Sequence, residues 1–323
     1  MYPFKFNPIL KSTIWGGSRI IPFKHLTSDQ QQVGESWEIS DVDGNVSIVA
    51  NGEEAGKSLS QLMEKYKGKL VGEENYKRFG GKFPLLIKFI DACQDLSIQV
   101  HPNDELAKVR HNSMGKTEMW YIIDNDSGKA HLHSGLSKKI TPEEYVKIIA
   151  DDSICDVLAD YSVNPGDVFF LPAGRIHSIG AGCFLAEIQQ TSDITYRIYD
   201  FNRRDKNGNT RELHTELSKD AIDYTVKEDY RTSYVPQKDR KVNVVSCPYF
   251  VTSVFDLTAG TSVDYSSLDS FVIYICTEGS CTLSDNKGNC LDLTSGESVL
   301  IPADTDRMDI KVNGYVKFIE THI

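Results

Sequence analysis

The sequence predicts a mostly β fold, two antiparallel β-barrel units with a small helical insertion, and three observations carry that prediction. Short runs rich in β-branched and aromatic residues alternate with Gly, Asp and Asn turns along most of the 323 residues. Helical patterning is confined to two windows. One segment, VNPGDVFFLPAGRIHSIG at 163–180, recurs as LTSGESVLIPADTDRMDI at 293–310. Gly166 matches Gly296, Asp167 matches Glu297, Pro172 matches Pro302 and Ala173 matches Ala303, each in the same order and with the same gaps. A repeat of turn, strand and turn at one spacing points to two copies of one β unit.

The elements follow along the chain. VSIVANGEE (46–54) reads as a strand running into an Asn-Gly turn. SLSQLMEKYKGKLVG (58–72) spaces its apolar residues at i, i+3 and i+4, the period of one helix face. FPLLIKFIDA (83–92) and MWYIIDNDSG (119–128) are apolar runs, strands by composition. TPEEYVKIIADDSICDVLADY (141–161) predicts the second helix, opening on Thr141-Pro142-Glu143-Glu144 with proline where its missing N–H costs nothing. It places the helical insertion at about 135–162. VFFLPAG (168–174), FVIYICTEGS (271–280) and CTLSDNKGN (281–289) return to strand and turn. The charged stretch KEDYRTSYVPQKDRK (227–241) is the expected linker, dividing the chain into 1–235 and 236–323.

Bulk properties exclude several classes of function. A net charge of −11 opposes nucleic acid or an anionic membrane as the main partner, while a local basic cluster still admits a small phosphorylated ligand. No secretion signal opens the chain, and no run approaches the ~20 apolar residues that span a bilayer. Seven cysteines, odd in number and without CxxC spacing, read as reduced thiols of a cytoplasmic protein.

Chemistry concentrates in LSIQVHPND (96–104). Gln99 and His101 stand at i and i+2 of a strand, so both point one way while Ile98 and Val100 point the other. Gly166-x5-Pro172-x-Gly174-x2-His177 matches the second signature of the cupin (jelly-roll) barrel, in which the histidine projects into the barrel. In the first cupin signature Gln99-x-His101 stands in for HxH, and the glutamate follows later as Glu118 in GKTEMWYI. Two imidazoles, a carboxylate and an amide oxygen suit a divalent ion such as zinc, bound at about 2.0–2.2 Å with a position open to water or substrate. The second copy has Arg307 at the position of His177 and Asp304 at that of Gly174, so a structural unit without metal ligands is expected there. His131-Leu-His133 has the same spacing without a nearby carboxylate or a glycine-proline frame, and is expected on a partly exposed strand. His111 is expected in a solvated loop, and His25, His214 and His322 have no context that recommends them.

The chain resembles type I mannose-6-phosphate isomerase, the zinc-dependent phosphomannose isomerase, in its short bacterial form. KSTIWGG, GESWEISDVDGNVSIVANG, FPLLIKFIDACQDLSIQVHPND, GKTEMWYI, PAGRIHSIG and EIQQTSDITYRIYDFNR carry the resemblance nearly end to end. The resemblance implies reversible conversion of mannose 6-phosphate to fructose 6-phosphate through a cis-enediol, with one zinc ion on Gln99, His101, Glu118 and His177. It places Arg197 and Asp193 in the active site, Lys116 and Ser97 where they meet substrate, and Lys88 as a weaker match. Lys116 would serve as proton-transferring base or as phosphate ligand. Arg197, always protonated, would hold the developing oxyanion or the phosphate. Arg203 and Arg204 read as exposed basic residues of a strand end. HSIG after His177 departs from the aromatic-containing segment of longer members, which keeps a different phosphosugar open as substrate. A non-catalytic sugar-binding cupin is the rival of another class. The large helical domain of the longer forms is missing, and 135–162 looks like its reduced remnant.

Overall fold

Leu85–Asp91, LLIKFID, is buried at every position because both faces of this strand meet protein. It lies inside a six-stranded antiparallel sheet ordered Val168–Leu171, Glu118–Asp124, Phe184–Gln190, Leu85–Asp91, Val33–Ile39, Ile9–Gly17. A computed structural model describes residues 1–204 and 207–323 of the chain. Opposite that sheet stands a five-stranded one, Leu158–Ser162, His131–Leu136, His177–Ile179, Ile98–Val100, Tyr196–Tyr199. Trp15, Ile90, Ile122 and Leu185 of the first sheet pack on Leu132 and Ile179 of the second. The second half is one seven-stranded sheet around the long strands Val272–Asp285 and Arg307–His322. The protein is mostly β, and no helix among the described residues is long and apolar enough to cross a membrane.

Strand register extends the internal repeat. Leu171 pairs with Glu118 in the first half, and Ile301 pairs with Val272 in the second. Glu187 faces Trp120, and Glu320 faces Tyr274. Both glutamates are buried and each meets an aromatic donor and a lysine: Trp120 and Lys88 for Glu187, Tyr265 and Lys241 for Glu320. Val272 therefore holds the register position of Glu118, and an apolar side chain fills the place of a carboxylate.

The helices depart from the sequence reading in instructive ways. Ser58 and Gln61 form a capping box on Leu59–Tyr66, and the chain continues as two further short helices to Phe79. The second window breaks: Thr141 caps Pro142–Ala150, a 3₁₀ turn covers Ile154–Val157, and Leu158–Ser162 is a strand. Leu158 and Asp160 pair with Leu136 and His133, so a sheet edge outweighs the helical period. Asp104–His111 is a helix that apolar periodicity did not reveal; Asn103 caps it, three residues after the strand Ile98–Val100 ends.

One core spans both halves. Phe4, Phe83, Phe271, Leu300 and Ile319 belong to a single apolar cluster, and Phe83 packs against Phe271 at a tilt of 44° with ring centroids 4.7 Å apart. Replacing fully buried Phe271 by alanine is expected to cost about 3–5 kcal/mol, read by denaturant unfolding. Because the cluster is shared, both halves should lose stability in one transition; a second transition left at its original midpoint would contradict a common core.

Candidate active site

Three neighbouring strands set the site. Gln99 pairs directly with His177 on one side and with Arg197 on the other, so the three side chains form a row on one face of the five-stranded sheet. Ile98 and Val100 turn to the opposite face and pack with Tyr196 and Ile198 in an apolar cluster. Gly174 has φ of 88°, and a Cβ there would stand 2.9 Å from the Ala221 carbonyl, so the turn before His177 needs glycine. Its N–H donates to the His101 carbonyl at 2.9 Å, tying the two histidine segments together. Glu118 begins a strand of the facing sheet and is fully buried.

The ring nitrogens are oriented by backbone. His101 Nδ1 lies 3.0 Å from the Ile194 carbonyl and His177 Nδ1 2.8 Å from the Arg175 carbonyl. A carbonyl only accepts, which assigns the hydrogen to Nδ1 and turns both Nε2 lone pairs toward Glu118. Those nitrogens stand 3.5 and 3.3 Å from the two carboxylate oxygens. Both oxygens are buried; the Lys116 ammonium stands 3.1 Å from Oε2, while Oε1, facing His177, has no hydrogen-bond partner among the described residues. Lone pairs facing lone pairs in a dry site are unfavourable unless a cation or proton lies between them. Donors about 2.1 Å from one tetrahedral ion stand about 3.4 Å apart, which these separations match. His101, Glu118 and His177 thus form a group suited to a metal ion. The Gln99 amide nitrogen is 3.3 Å from His177 Nε2, and a half-turn of the amide presents its oxygen to the same point.

Electrostatics agree with this donor set. Burial drives the His101 imidazole well below its usual range and His177 down to about 3, so both rings are neutral. Burial, then the Glu187 carboxylate, pushes Glu118 up to about 7. Glu187 goes the other way: burial raises it, but Lys88 and Lys116 outweigh that and hold it at about 2. In the metal-free protein the stability contribution of Glu118 is present below its ordinary 4.5 and is lost as pH rises toward about 7. That of His177 is present above 6.5 and is lost as pH falls toward about 3. A cation binding Glu118 displaces its proton, so binding at about pH 6 should release about one proton and tighten toward pH 7. Calorimetric titration in buffers of different ionisation enthalpy reads that proton, and a value near zero would contradict the scheme.

Above this group opens a cavity of about 380 Å³, lined by Lys88, Ser97, Gln99, Lys116, Asp193 and Arg197. All six were singled out by sequence, and the fold brings them to one cavity. Lys116 Nζ lies 3.1 Å from Glu118 Oε2 and 3.1 Å from His101 Nε2. Lys88 Nζ is 2.9 Å from Glu187 Oε1 and 3.9 Å from Glu35 Oε2. Arg197 is half-buried; one Nη donates to the Glu212 carbonyl at 3.0 Å, while the buried Nε has no partner. Burial and then the Arg211 charge lower its guanidinium.

The same cavity holds Glu35, Trp37, Glu187 and Arg211, which sequence reasoning missed. Only Glu187 carried a signal, a charge inside the apolar run FLAEIQQ. Arg203 is no exposed strand end: it binds buried Asp200 and donates to the Asp95 carbonyl at 2.5 Å. Arg204 is exposed, as read. His131 and His133 do have carboxylate neighbours, Asp95 and Asp160, each 3.6 Å away; strand pairing sets Asp160 opposite His133, and Asp95 comes from the loop before Ile98–Val100. His111 lies at the end of a helix with Nε2 2.7 Å from the Tyr196 hydroxyl rather than in a free loop. His214 accepts the Arg197 backbone N–H at 3.0 Å, a supporting contact that 17 residues of sequence separation conceal.

Comparison with known proteins resolves what such a site belongs to. Residues 3–133 match the catalytic domain of phosphomannose isomerase type I, and residues 240–323 match the mannose-6-phosphate isomerase cupin domain. The mannose-6-phosphate isomerase ManA of Bacillus subtilis is 34% identical over 99% of both chains. This chain belongs to the type I phosphomannose isomerase family. The Streptococcus mutans mannose-6-phosphate isomerase is 31% identical over 93% of this chain and 92% of its own. The crystal structure of the mannose 6-phosphate isomerase from Bacillus subtilis superposes with a TM-score of 0.87 at 31% identity, covering both chains completely. Gln99, His101 and Glu118 of this phosphomannose isomerase relative fall within the catalytic-domain match, and His177 lies between the two matched ranges.

Proposed function

We propose that the protein interconverts mannose 6-phosphate and fructose 6-phosphate, with one zinc ion held by Gln99, His101, Glu118 and His177. The observation that carries this is a buried glutamate whose two oxygens face the Nε2 atoms of two backbone-oriented histidines, next to Gln99 and Lys116 of a cavity rich in Lys and Arg. Lewis-acid polarisation of the sugar oxygens, typically several kcal/mol, is what the bound ion supplies. The reaction opens the ring and moves a proton between C2 and C1 through a cis-enediol, so negative charge develops on oxygen.

Arg197 sits directly across the ladder from Gln99 and is placed to stabilise that oxygen. Lys116, held between Glu118 and His101, is placed to act as the proton-transferring base, its neutral amine taking the proton from one carbon and the resulting ammonium returning it to the other. Lys88 is locked by Glu187 and orients sugar hydroxyls. Ser97, buried on the cavity wall, offers a hydroxyl to the same end, and Asp193 closes the exposed side. The two-sheet first half and the 240–323 match support reading the chain as a catalytic jelly-roll unit over 1–235 and a cupin-like unit over 236–323. Seven free cysteines support a cytoplasmic location.

A coupled assay for fructose 6-phosphate tests the reading. Turnover on mannose 6-phosphate should vanish with a strong chelator and return with added zinc, while glucose 6-phosphate should be turned over far more slowly. Chelator-resistant turnover would overturn the metal assignment, and faster turnover of glucose 6-phosphate would overturn the substrate.

A further inference from the structure

Four cations line the cavity, and three of them are committed near the metal group. Lys116 lies against Glu118, Lys88 lies against Glu187, and Arg197 is the ladder neighbour of Gln99. Arg211 comes from outside any strand, and its side chain is held differently. Its Nε and Nη2 grip Asp200 at 2.8 and 2.5 Å, a two-point fork on a carboxylate that is itself buried. Asp200 also binds Arg203, whose other nitrogens go to the Asp200 and Asp95 carbonyls. Two guanidiniums share one carboxylate, with Arg197 close enough that its charge and that of Arg211 oppose each other. Three guanidiniums against one shared carboxylate leave the cluster with net positive charge, and two of them, Arg197 and Arg211, line the cavity. Of the cavity's acids, Glu35 accepts from the Trp37 indole at 2.5 Å and Glu187 from the Trp120 indole at 2.8 Å, both on the Lys88 side. Asp193 is exposed.

We propose that Arg211, braced by Asp200, takes the phosphate of the substrate, while Arg197 acts at the reacting end of the sugar; this rests on the isomerase reading above. An open-chain hexose 6-phosphate has its reacting carbons at one end and its phosphate at the other. Arg197 pairs across the ladder with Gln99 of the metal group, its Nη1 reaches the carbonyl of Glu212, the residue after Arg211, and both arginines line the cavity. A planar fork fits a phosphate in two-point fashion, and a fork already gripped along one edge loses little freedom on binding. Asp200 is a positioning residue that acts through Arg211.

Full-length protein, Arg211→Met, Arg211→Lys and Asp200→Asn are compared for binding of a hexitol 6-phosphate and of the same hexitol without phosphate, alongside kcat and KM for mannose 6-phosphate. Arg211→Met should weaken the phosphorylated hexitol about 10–100-fold, the loss of a charge-assisted contact, and raise KM by a similar factor with a smaller change in kcat. The plain hexitol should bind all four proteins alike. Arg211→Lys should fall between, and Asp200→Asn should show the same phosphate-selective loss. Equal weakening of both hexitols, or no weakening of the phosphorylated one, would overturn the assignment. Should the wild type lack isomerase activity, the isomerase reading falls while the two binding measurements still decide the phosphate site.

Discussion

Gln99→Ala and His177→Ala proteins are expected to purify with little or no zinc and to lose turnover by roughly 1,000-fold, since the ion supplies several kcal/mol and about 1.4 kcal/mol is a factor of ten. The two changes remove different things. His177→Ala deletes a neutral nitrogen whose orientation the Arg175 carbonyl sets, and it leaves Glu118 facing one imidazole instead of two. Gln99→Ala removes an amide 3.3 Å from that same nitrogen, with no charge change. Metal content by elemental analysis and activity on the same sample read the outcome together. A full complement of zinc with activity gone would remove the ligand assignment and leave both side chains in some other catalytic role. Circular dichroism should show an intact fold, because the apolar clusters on either side contain neither residue.

Arg197→Ala is expected to do the reverse: zinc stays, the fold stays, and kcat falls by about 10²–10³-fold, the usual effect of deleting one preorganised donor at a developing oxyanion. The backbone of Arg197 is held independently of its guanidinium, through the Gln99 ladder and the paired contacts with His214. Losing the side chain therefore should not displace the strand. Unlike Arg211→Met, the change should appear in kcat more than in KM, and near-normal turnover would take Arg197 out of the chemistry. Stopped-time assays at saturating mannose 6-phosphate, with metal content measured in parallel, separate the two arginines.

Much of the site was legible before any coordinates because short-range rules place it. Gln99 lies on a strand that stops at Val100, one residue short of the predicted His101, and the Pro172-x-Gly174 turn before His177 needs a glycine that the sequence displays. Lys116 is two residues from Glu118, so finding one finds the other. Glu35, Trp37 and Glu187 were harder: each is an ordinary residue in a strand until the ladder sets Glu187 opposite Lys88 and Trp37 opposite the same lysine. The second helical window shows the opposite failure. Its apolar period was real, yet Leu158–Ser162 found strand partners in His131–Leu136, and tertiary hydrogen bonds outweighed local propensity.

By itself the sequence determined the β class, the repeat, and the kinds of atom available to a cation, since composition, spacing and turn chemistry are local properties. Only the tertiary structure decided that Glu118 is buried facing two imidazoles, that Asp200 gathers two arginines, and that Arg211 and Lys88 line one cavity. Burial and charge act through space, and strand register joins residues such as Gln99, His177 and Arg197 that the chain keeps far apart.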